Sequence, residues 1–110
     1  MLRSFSYAAF AGLKKHWEEH PDAAGPAAAD RLNGWARAWQ NAAAAEFLAA
    51  YRETIGAKQN AATHDLLPGT DEAQKLLDAY LLEKALYELL YEMNNRPAWL
   101  HIPIAGILSL

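Results

Sequence analysis

The sequence predicts an all-α protein with three main helices and one short C-terminal helix. Apolar residues recur at the 3.6-residue period of an amphipathic helix in three long segments. No segment has the alternation of apolar and polar residues that is typical of a half-buried strand. Alanine, the strongest helix former, supplies 24 of the 110 residues. We therefore expect one helical unit over residues 1–110, with a core built mainly from Leu, Trp, Tyr and Phe.

The first helix is predicted over residues 2–19, where Phe5, Ala8 and Leu13 fall at helical spacing. Its end is predicted from Pro21, because a residue that precedes proline is disfavoured in the α region. Residues 20–28 then form a predicted loop.

The second helix is predicted to begin near Asp30 and to end near Ile55. Gly56 is expected to take a left-handed conformation and close the helix, while Gly34 is expected to mark a close contact with another helix. The apolar stripe of this helix, including both tryptophans as core residues, is Leu32, Trp35, Ala36, Trp39, Ala43, Phe47, Ala50 and Tyr51.

The third helix is predicted over residues 71–95, after a polar, irregular segment at 58–68. Thr70 is the predicted N-cap, and the charges of Asp71 and Glu72 favour the positive end of the helix dipole. Pro97 begins a predicted turn, and residues 102–108 form the predicted short last helix.

Composition excludes several classes of function. The net charge is −3 and Lys14-Lys15 is the longest basic run, so a nucleic-acid-binding surface is not expected. The absence of cysteine excludes disulfides and thiol catalysis, and no apolar stretch approaches the roughly 18 residues of a membrane span. His16 and His20 have the i, i+4 spacing of a metal pair, but Pro21 interrupts the helix there. We expect a cytoplasmic chain that binds no metal and no membrane.

The third helix has two chemically distinct faces on a helical wheel that advances about 100° per residue. The residues of the leucine face lie within about 100° of one another and are predicted to form the core: Leu82, Leu86, Leu89, Leu90 and Met93. The opposite, tyrosine face gathers within about 60° of Lys84 and consists of Lys84, Tyr87, Glu88, Tyr91 and Asn95.

The residue types of the tyrosine face suit a sugar. Aromatic rings pack against pyranose C–H faces, while Lys, Glu and Asn supply donors and acceptors for hydroxyl groups. Trp99 offers a further ring, and Arg96 a planar fork for a carboxylate, including one from a neighbouring lobe. The alternative is that the tyrosines pack against another helix and that residues 94–97 form only a helix end followed by a proline stop. Spacing alone leaves both interpretations open.

Residues 76–97 resemble the closing signature of bacterial maltokinases, which occur alone or fused to trehalose synthase. The resemblance lies mainly in Glu83-Lys84-Ala85-Leu86-Tyr87-Glu88 and Asn94-Asn95-Arg96-Pro97. Residues 99–104 are similar to the family's terminal Ile-Pro-Leu element, and residues 1–9 resemble the helix that follows its metal-binding region. Residues 14–71 form a variable middle.

The resemblance implies the C-terminal lobe of a fold related to protein kinases and aminoglycoside phosphotransferases. The family transfers the γ-phosphoryl group of ATP to maltose, with Mg²⁺, to give maltose 1-phosphate for α-glucan synthesis. The closing helices help to form the acceptor-sugar pocket. Carried over residue by residue, the implied maltose-binding positions are Lys84, Tyr87, Glu88, Tyr91, Asn94, Asn95 and Arg96.

The chain departs from a complete kinase in lacking phosphoryl-transfer motifs. The sequence has no glycine-rich phosphate loop and no His-x-Asp loop with a metal-binding Asn; His64-Asp65 has no such Asn downstream. An Arg that often follows the family's Ile-Pro-Leu element is replaced by Ala105. We therefore expect no catalytic residue and no bound cofactor in this segment, with ATP and Mg²⁺ belonging to the parent kinase.

Two hypotheses follow from the sequence. In the first, the chain is the acceptor-lobe portion of a maltokinase, inactive alone, with maltose and the remaining kinase lobe or trehalose synthase as partners. In the second, it is an independent helical interaction or oligomerisation module without enzymatic activity. The second hypothesis predicts self-association of the isolated chain, because the first and third helices have lost their partner lobe and leave apolar surface exposed.

Overall fold

Four α-helices account for most of the computed structural model, which describes residues 1–23, 25–58 and 69–110. They are α1 (Leu2–Glu19), α2 (Pro26–Lys58), α3 (Thr70–Asn95) and α4 (His101–Leu108). Short 3₁₀ turns at Pro21–Ala23 and Pro97–Trp99 follow α1 and α3. The described ranges contain no strand, which confirms the predicted all-α class. The segment predicted to be irregular lies, from residue 59 onward, outside the described residues.

Two compact units divide the chain, Met1–Ala45 and Glu46–Leu110. The first contains α1, the first 3₁₀ turn and the N-terminal part of α2. The second contains the C-terminal part of α2 together with α3, the second 3₁₀ turn and α4. The residues of the candidate sugar site all belong to the second unit.

Helix α1 has the predicted bounds because Pro21 prevents its continuation. The backbone N–H of His20 donates to the carbonyl of His16 at 3.0 Å, and the His20 ring Nδ1 lies 3.1 Å from the same oxygen. The rings of His16 and His20 stack with centroids 4.7 Å apart. Both histidines therefore contribute to the end of the helix.

Helix α2 is longer at both ends than the sequence predicted. It begins at Pro26, within the predicted loop, because proline fits the first turn of a helix, where its missing N–H is not needed. The Gly25 carbonyl accepts bonds from Ala28 and Ala29, each at 3.0 Å. The helix also continues past Gly56 to Lys58, and no described glycine has a positive φ. The predicted left-handed cap at Gly56 is therefore wrong.

The tryptophans of α2 are not core residues. Trp35 is 68% exposed and Trp39 is 51% exposed. The Trp39 ring lies nearly perpendicular to the Phe5 ring of α1, with centroids 6.2 Å apart. The half-buried positions of the predicted stripe are instead Leu32, Ala36, Ala43 and Phe47. A Cβ added at Gly34 would meet no atom within 4 Å, so the expected close helix contact there is absent.

Helix α3 begins one residue before the predicted start, and Gly69 rather than Thr70 is its N-cap. Asp71 and Glu72 occupy its first turn, as the dipole argument predicted. Arg96 ends the helix, and its backbone N–H donates to the Glu92 carbonyl at 2.9 Å. The second 3₁₀ turn then redirects the chain so that α4 packs against α3, with Ile102 and Pro103 of α4 buried.

The leucine face of α3 is not the buried face. Most of its residues are between 40% and 62% exposed: Leu82, Leu86, Leu90 and Met93. The buried residues of the helix are Ala85, Glu88 and Glu92. On the wheel Ala85 and Glu92 lie about 80° to 100° from Lys84, between the two predicted faces, and Glu88 lies about 40° from it, within the predicted tyrosine face. The prediction that the leucine face forms the core is therefore wrong.

Candidate functional site

The candidate sugar site lies along the C-terminal half of α3. Four residues of the tyrosine face are exposed, and they follow one another at intervals of three or four residues: Lys84, Tyr87, Tyr91 and Asn95. This spacing places them on one side of the helix, over about 16 Å of its axis. The structure thus brings these four predicted residues together on an open surface.

Lys84 is held beside a ring of the same face. Its Nζ lies 4.6 Å from the centroid of the Tyr87 ring, which is a cation–π distance. An exposed pair of this kind contributes about 0.5–1 kcal/mol. The ammonium group and the ring therefore form one polar and aromatic surface.

Glu88 lies apart from the exposed tyrosine face. It is buried, and it lies one turn from Ala85 and Glu92, the other buried residues of α3. The wheel placed Glu88 only about 40° from Lys84. An angular difference of this size does not show whether a residue is exposed or buried. The structure therefore assigns this carboxylate to the interior side of the helix.

Asn94 and Asn95 satisfy carbonyl groups of the last turns of α3. The Asn94 side chain donates to the Leu90 carbonyl at 2.9 Å, and the Asn95 side chain donates to the Tyr91 carbonyl at 2.8 Å. Asn side chains commonly bond to the backbone carbonyl one turn earlier in a helix, so these bonds are a local consequence of the sequence. Both residues remain exposed, and the bond from Asn95 joins its side chain to the backbone of Tyr91.

Arg96 uses its planar fork within the chain. Its Nε donates to Glu92 Oε2 at 2.9 Å, and a terminal nitrogen donates to Glu92 Oε1 at 2.7 Å. The Arg96 Cζ atom lies 4.7 Å from the Trp99 ring centroid and 5.6 Å from that of Tyr91. The sequence predicted a carboxylate partner of this type and left open whether it belongs to this chain or to a neighbouring lobe. In the structure the partner is Glu92, one turn earlier in the same helix.

Glu92 is the functional candidate that the sequence analysis missed. Its i, i+4 spacing from Arg96 is visible in the sequence and is typical of a helical ion pair. The burial of Glu92 cannot be predicted from the sequence, because a glutamate between Tyr91 and Met93 is expected to be solvent-exposed. The 1% exposure of its side chain makes this pair different from the surface pairs Lys14–Glu18 and Lys15–Glu19.

The structure holds no cluster suited to a metal among the residues that it describes. No three His, Asp or Glu side chains gather there in a metal-binding arrangement. His64 and Asp65 lie outside the described ranges. Among the helices described, none is long and apolar enough to cross a membrane.

No protein-family model matches this chain, and no solved structure matches it.

Proposed function

We propose that the chain forms the acceptor-sugar portion of the C-terminal lobe of a maltokinase. The exposed part of the tyrosine face carries the proposal, because it presents two rings, a cation and an amide along one side of α3. These groups match the two requirements of a disaccharide, which are apolar ring faces and a dense set of hydroxyls. Their identity as a maltose site rests on the resemblance of residues 76–97 to the maltokinase signature.

The proposed contribution of this chain is binding and orientation. Tyr87 and Tyr91 would pack against the sugar faces, and Lys84 and Asn95 would bond to hydroxyls. The chain itself has no phosphate loop and no His-x-Asp-Asn motif. ATP, Mg²⁺ and the residue that orients the acceptor hydroxyl therefore belong to other parts of the parent kinase.

The exposed leucine face supports the proposal that a larger protein surrounds this chain. Leu82, Leu86 and Leu90 leave large apolar side chains at the surface of a single helix. Contiguous apolar surface of this type is typical of a contact with another protein layer. In the proposed function that layer is the remaining kinase lobe, and trehalose synthase is the further partner in the fused form.

Titration calorimetry with maltose tests the sugar site. The unmodified chain is expected to bind maltose weakly, with a dissociation constant on the order of 1 mM or more, equivalent to about −4 kcal/mol. Tyr91→Ala is expected to abolish the signal. The matched control is Tyr51→Ala, because Tyr51 is an exposed tyrosine on α2 and lies outside the candidate site on α3. Absence of heat at tens of millimolar maltose, or equal losses in both variants, would contradict the proposed site.

The gene context tests the family assignment separately from binding. Coding sequence for a kinase lobe is expected immediately upstream of Met1 in the same reading frame. A complete and unrelated gene at that position would contradict the assignment, whatever the calorimetry gives.

The exposed leucine face also favours the second candidate, an independent helical interaction module. In that case the isolated chain is expected to self-associate through α3, and Leu86→Glu is expected to shift it to a monomer in sedimentation experiments. Leu2→Glu in α1 is the control. A monomer at millimolar concentration would count against a module of this kind.

A further inference from the structure

We infer that Glu92 is a positioning residue, which holds the Arg96 guanidinium against Tyr91 and Trp99 and thereby fixes these two rings as one end of the sugar face. The inference rests on the proposed function only for the identity of the ligand as a sugar. The positioning itself rests on the geometry of α3 and of the turn that follows it. The distances and burial that define this geometry do not depend on the maltokinase resemblance.

The first step is the asymmetry of the ion pair. The Glu92 side chain is 1% exposed and the Arg96 side chain is 46% exposed. A buried carboxylate is fixed by its surroundings, while an exposed arginine otherwise samples many rotamers. Glu92 therefore acts as the fixed member of the pair, and Arg96 is the member whose position it determines.

The second step is the bidentate contact. Two nitrogens of the guanidinium donate to the two oxygens of the Glu92 carboxylate, at 2.9 Å and 2.7 Å. One hydrogen bond leaves a guanidinium free to rotate about that bond, but two parallel bonds fix its plane. The orientation of Arg96 is thus set by Glu92.

The third step joins two elements of the fold. Tyr91 lies on α3, while Trp99 lies at the end of the second 3₁₀ turn. The Arg96 Cζ atom lies 5.6 Å from the Tyr91 centroid and 4.7 Å from the Trp99 centroid. Both distances are within the range of a cation–π contact. The Arg96 guanidinium therefore contacts both Tyr91 of the helix and Trp99 of the turn.

Nuclear magnetic resonance of the complete chain tests the positioning. The unmodified chain is expected to show contacts between the Arg96 side chain and the ring protons of Tyr91 and Trp99. Glu92→Gln keeps the shape of the side chain but removes its charge, and it is expected to abolish these contacts and to shift both sets of ring resonances. The control is Glu83→Gln, the same change at an exposed position of α3, and it is expected to leave them unchanged. Circular dichroism checks that all variants remain helical.

Maltose titrations of the same samples test the consequence. Glu92→Gln is expected to weaken maltose binding by about fivefold to tenfold, in line with the loss of one ordered cation–π contact, and Glu83→Gln less than twofold. Retained ring contacts in Glu92→Gln would overturn the inference, and so would lost contacts with unchanged maltose affinity. If the unmodified chain binds no maltose, the proposed function fails, and the ring contacts alone decide whether Glu92 positions Arg96.

Arg96→Lys keeps the test decisive if Glu92→Gln does not fold. It retains the positive charge opposite Glu92 but cannot make two parallel hydrogen bonds. The ring resonances of Tyr91 and Trp99 are expected to shift in this variant as well. Unchanged ring resonances would show that the bidentate geometry does not hold the rings, and would overturn the inference.

Discussion

Removing either member of the Glu92–Arg96 pair should destabilise the second unit, but by unequal amounts. Arg96→Met removes two charged hydrogen bonds from the Glu92 carboxylate, whose side chain is 1% exposed. Glu92→Gln leaves a guanidinium that is 46% exposed and that water can hydrate. A charge that stays buried without its partner is costly, whereas a hydrated charge is not. We therefore expect Arg96→Met to be the more damaging change.

The magnitudes follow from this burial. Breaking a buried ion pair from one side costs about 3–5 kcal/mol. Arg96 is half exposed, and Glu92 also takes part in contacts beyond the two bonds of the pair. These facts put Arg96→Met near the lower limit, at about 3 kcal/mol. Glu92→Gln keeps one acceptor oxygen and a similar volume, so its expected cost is about 1 kcal/mol.

Urea unfolding followed by Trp99 fluorescence measures the difference. Replacing Trp17, Trp35 and Trp39 by Phe in every sample leaves Trp99 as the reporter, and Trp99 belongs to the same unit as the ion pair. With a slope of about 1 kcal/mol/M, the urea midpoint should fall by about 1 M in Glu92→Gln and by about 3 M in Arg96→Met.

The double variant Glu92→Leu/Arg96→Met controls for complete unfolding. It removes both charges, and the replacement of a buried pair by apolar residues is often neutral or stabilising. Its unfolding free energy should lie within about 1 kcal/mol of the unmodified protein. Equal costs for the two single variants, or a larger cost for Glu92→Gln, would refute the argument from burial.

Four further substitutions test the packing and the ends of the helices. Leu86→Lys should alter the unfolding free energy of the chain by no more than about 0.5 kcal/mol. Ala85→Leu, at a fully buried position, should cost about 1–3 kcal/mol by overpacking. Thermal unfolding of the two variants compares the two faces, and a larger loss in Leu86→Lys would show that the leucine face is the core. Gly34→Ala should stabilise α2 by about 0.5–1 kcal/mol, because the added Cβ meets no atom within 4 Å; an unchanged or lower melting temperature would show that the site is crowded. Thr70→Ala should cost less than about 0.5 kcal/mol, since α3 has no side-chain cap bond at its start; a loss of about 1 kcal/mol in urea unfolding would mean that Thr70 caps the helix after all.

Prolines account for most of the helix ends that could be predicted from the sequence. Pro21 and Pro97 end α1 and α3 at the predicted residues, because their effect on the preceding residue is local. Pro26 has the opposite effect and begins α2. The sequence around it, with Gly25 before and three alanines after, fits a loop or a first helical turn equally well. The choice depends on contacts that a local pattern does not contain.

The faces of α3 were harder to predict than its ends. An apolar wheel assigns leucines to the core and glutamates to the surface. In the structure Leu86 is exposed and Glu92 is buried. The charge of Glu92 can be buried because Arg96 donates to both of its carboxylate oxygens. The i, i+4 relation to Arg96 is present in the sequence, but the same relation also describes Lys14 and Glu18, which stay at the surface. Spacing therefore predicts the pair and not its burial.

Helix α3 has an exposed apolar side and a separate buried side that contains two glutamates. Helix α4 packs against α3, and the buried residues of α3 form a stripe of Ala85, Glu88 and Glu92. A separate stripe of leucines stays open, although burying one leucine stabilises a protein by about 1.5–3 kcal/mol. A helix that is apolar outside its own buried stripe is typical of a layer that another element covers. Under the proposed function the two faces would have different partners: the leucine face would pack against the rest of a larger lobe, and the tyrosine face would stay open to a sugar. Since Glu92 and Arg96 are both contained in this chain, the order that they impose on Tyr91 and Trp99 should not depend on whether the leucines are covered.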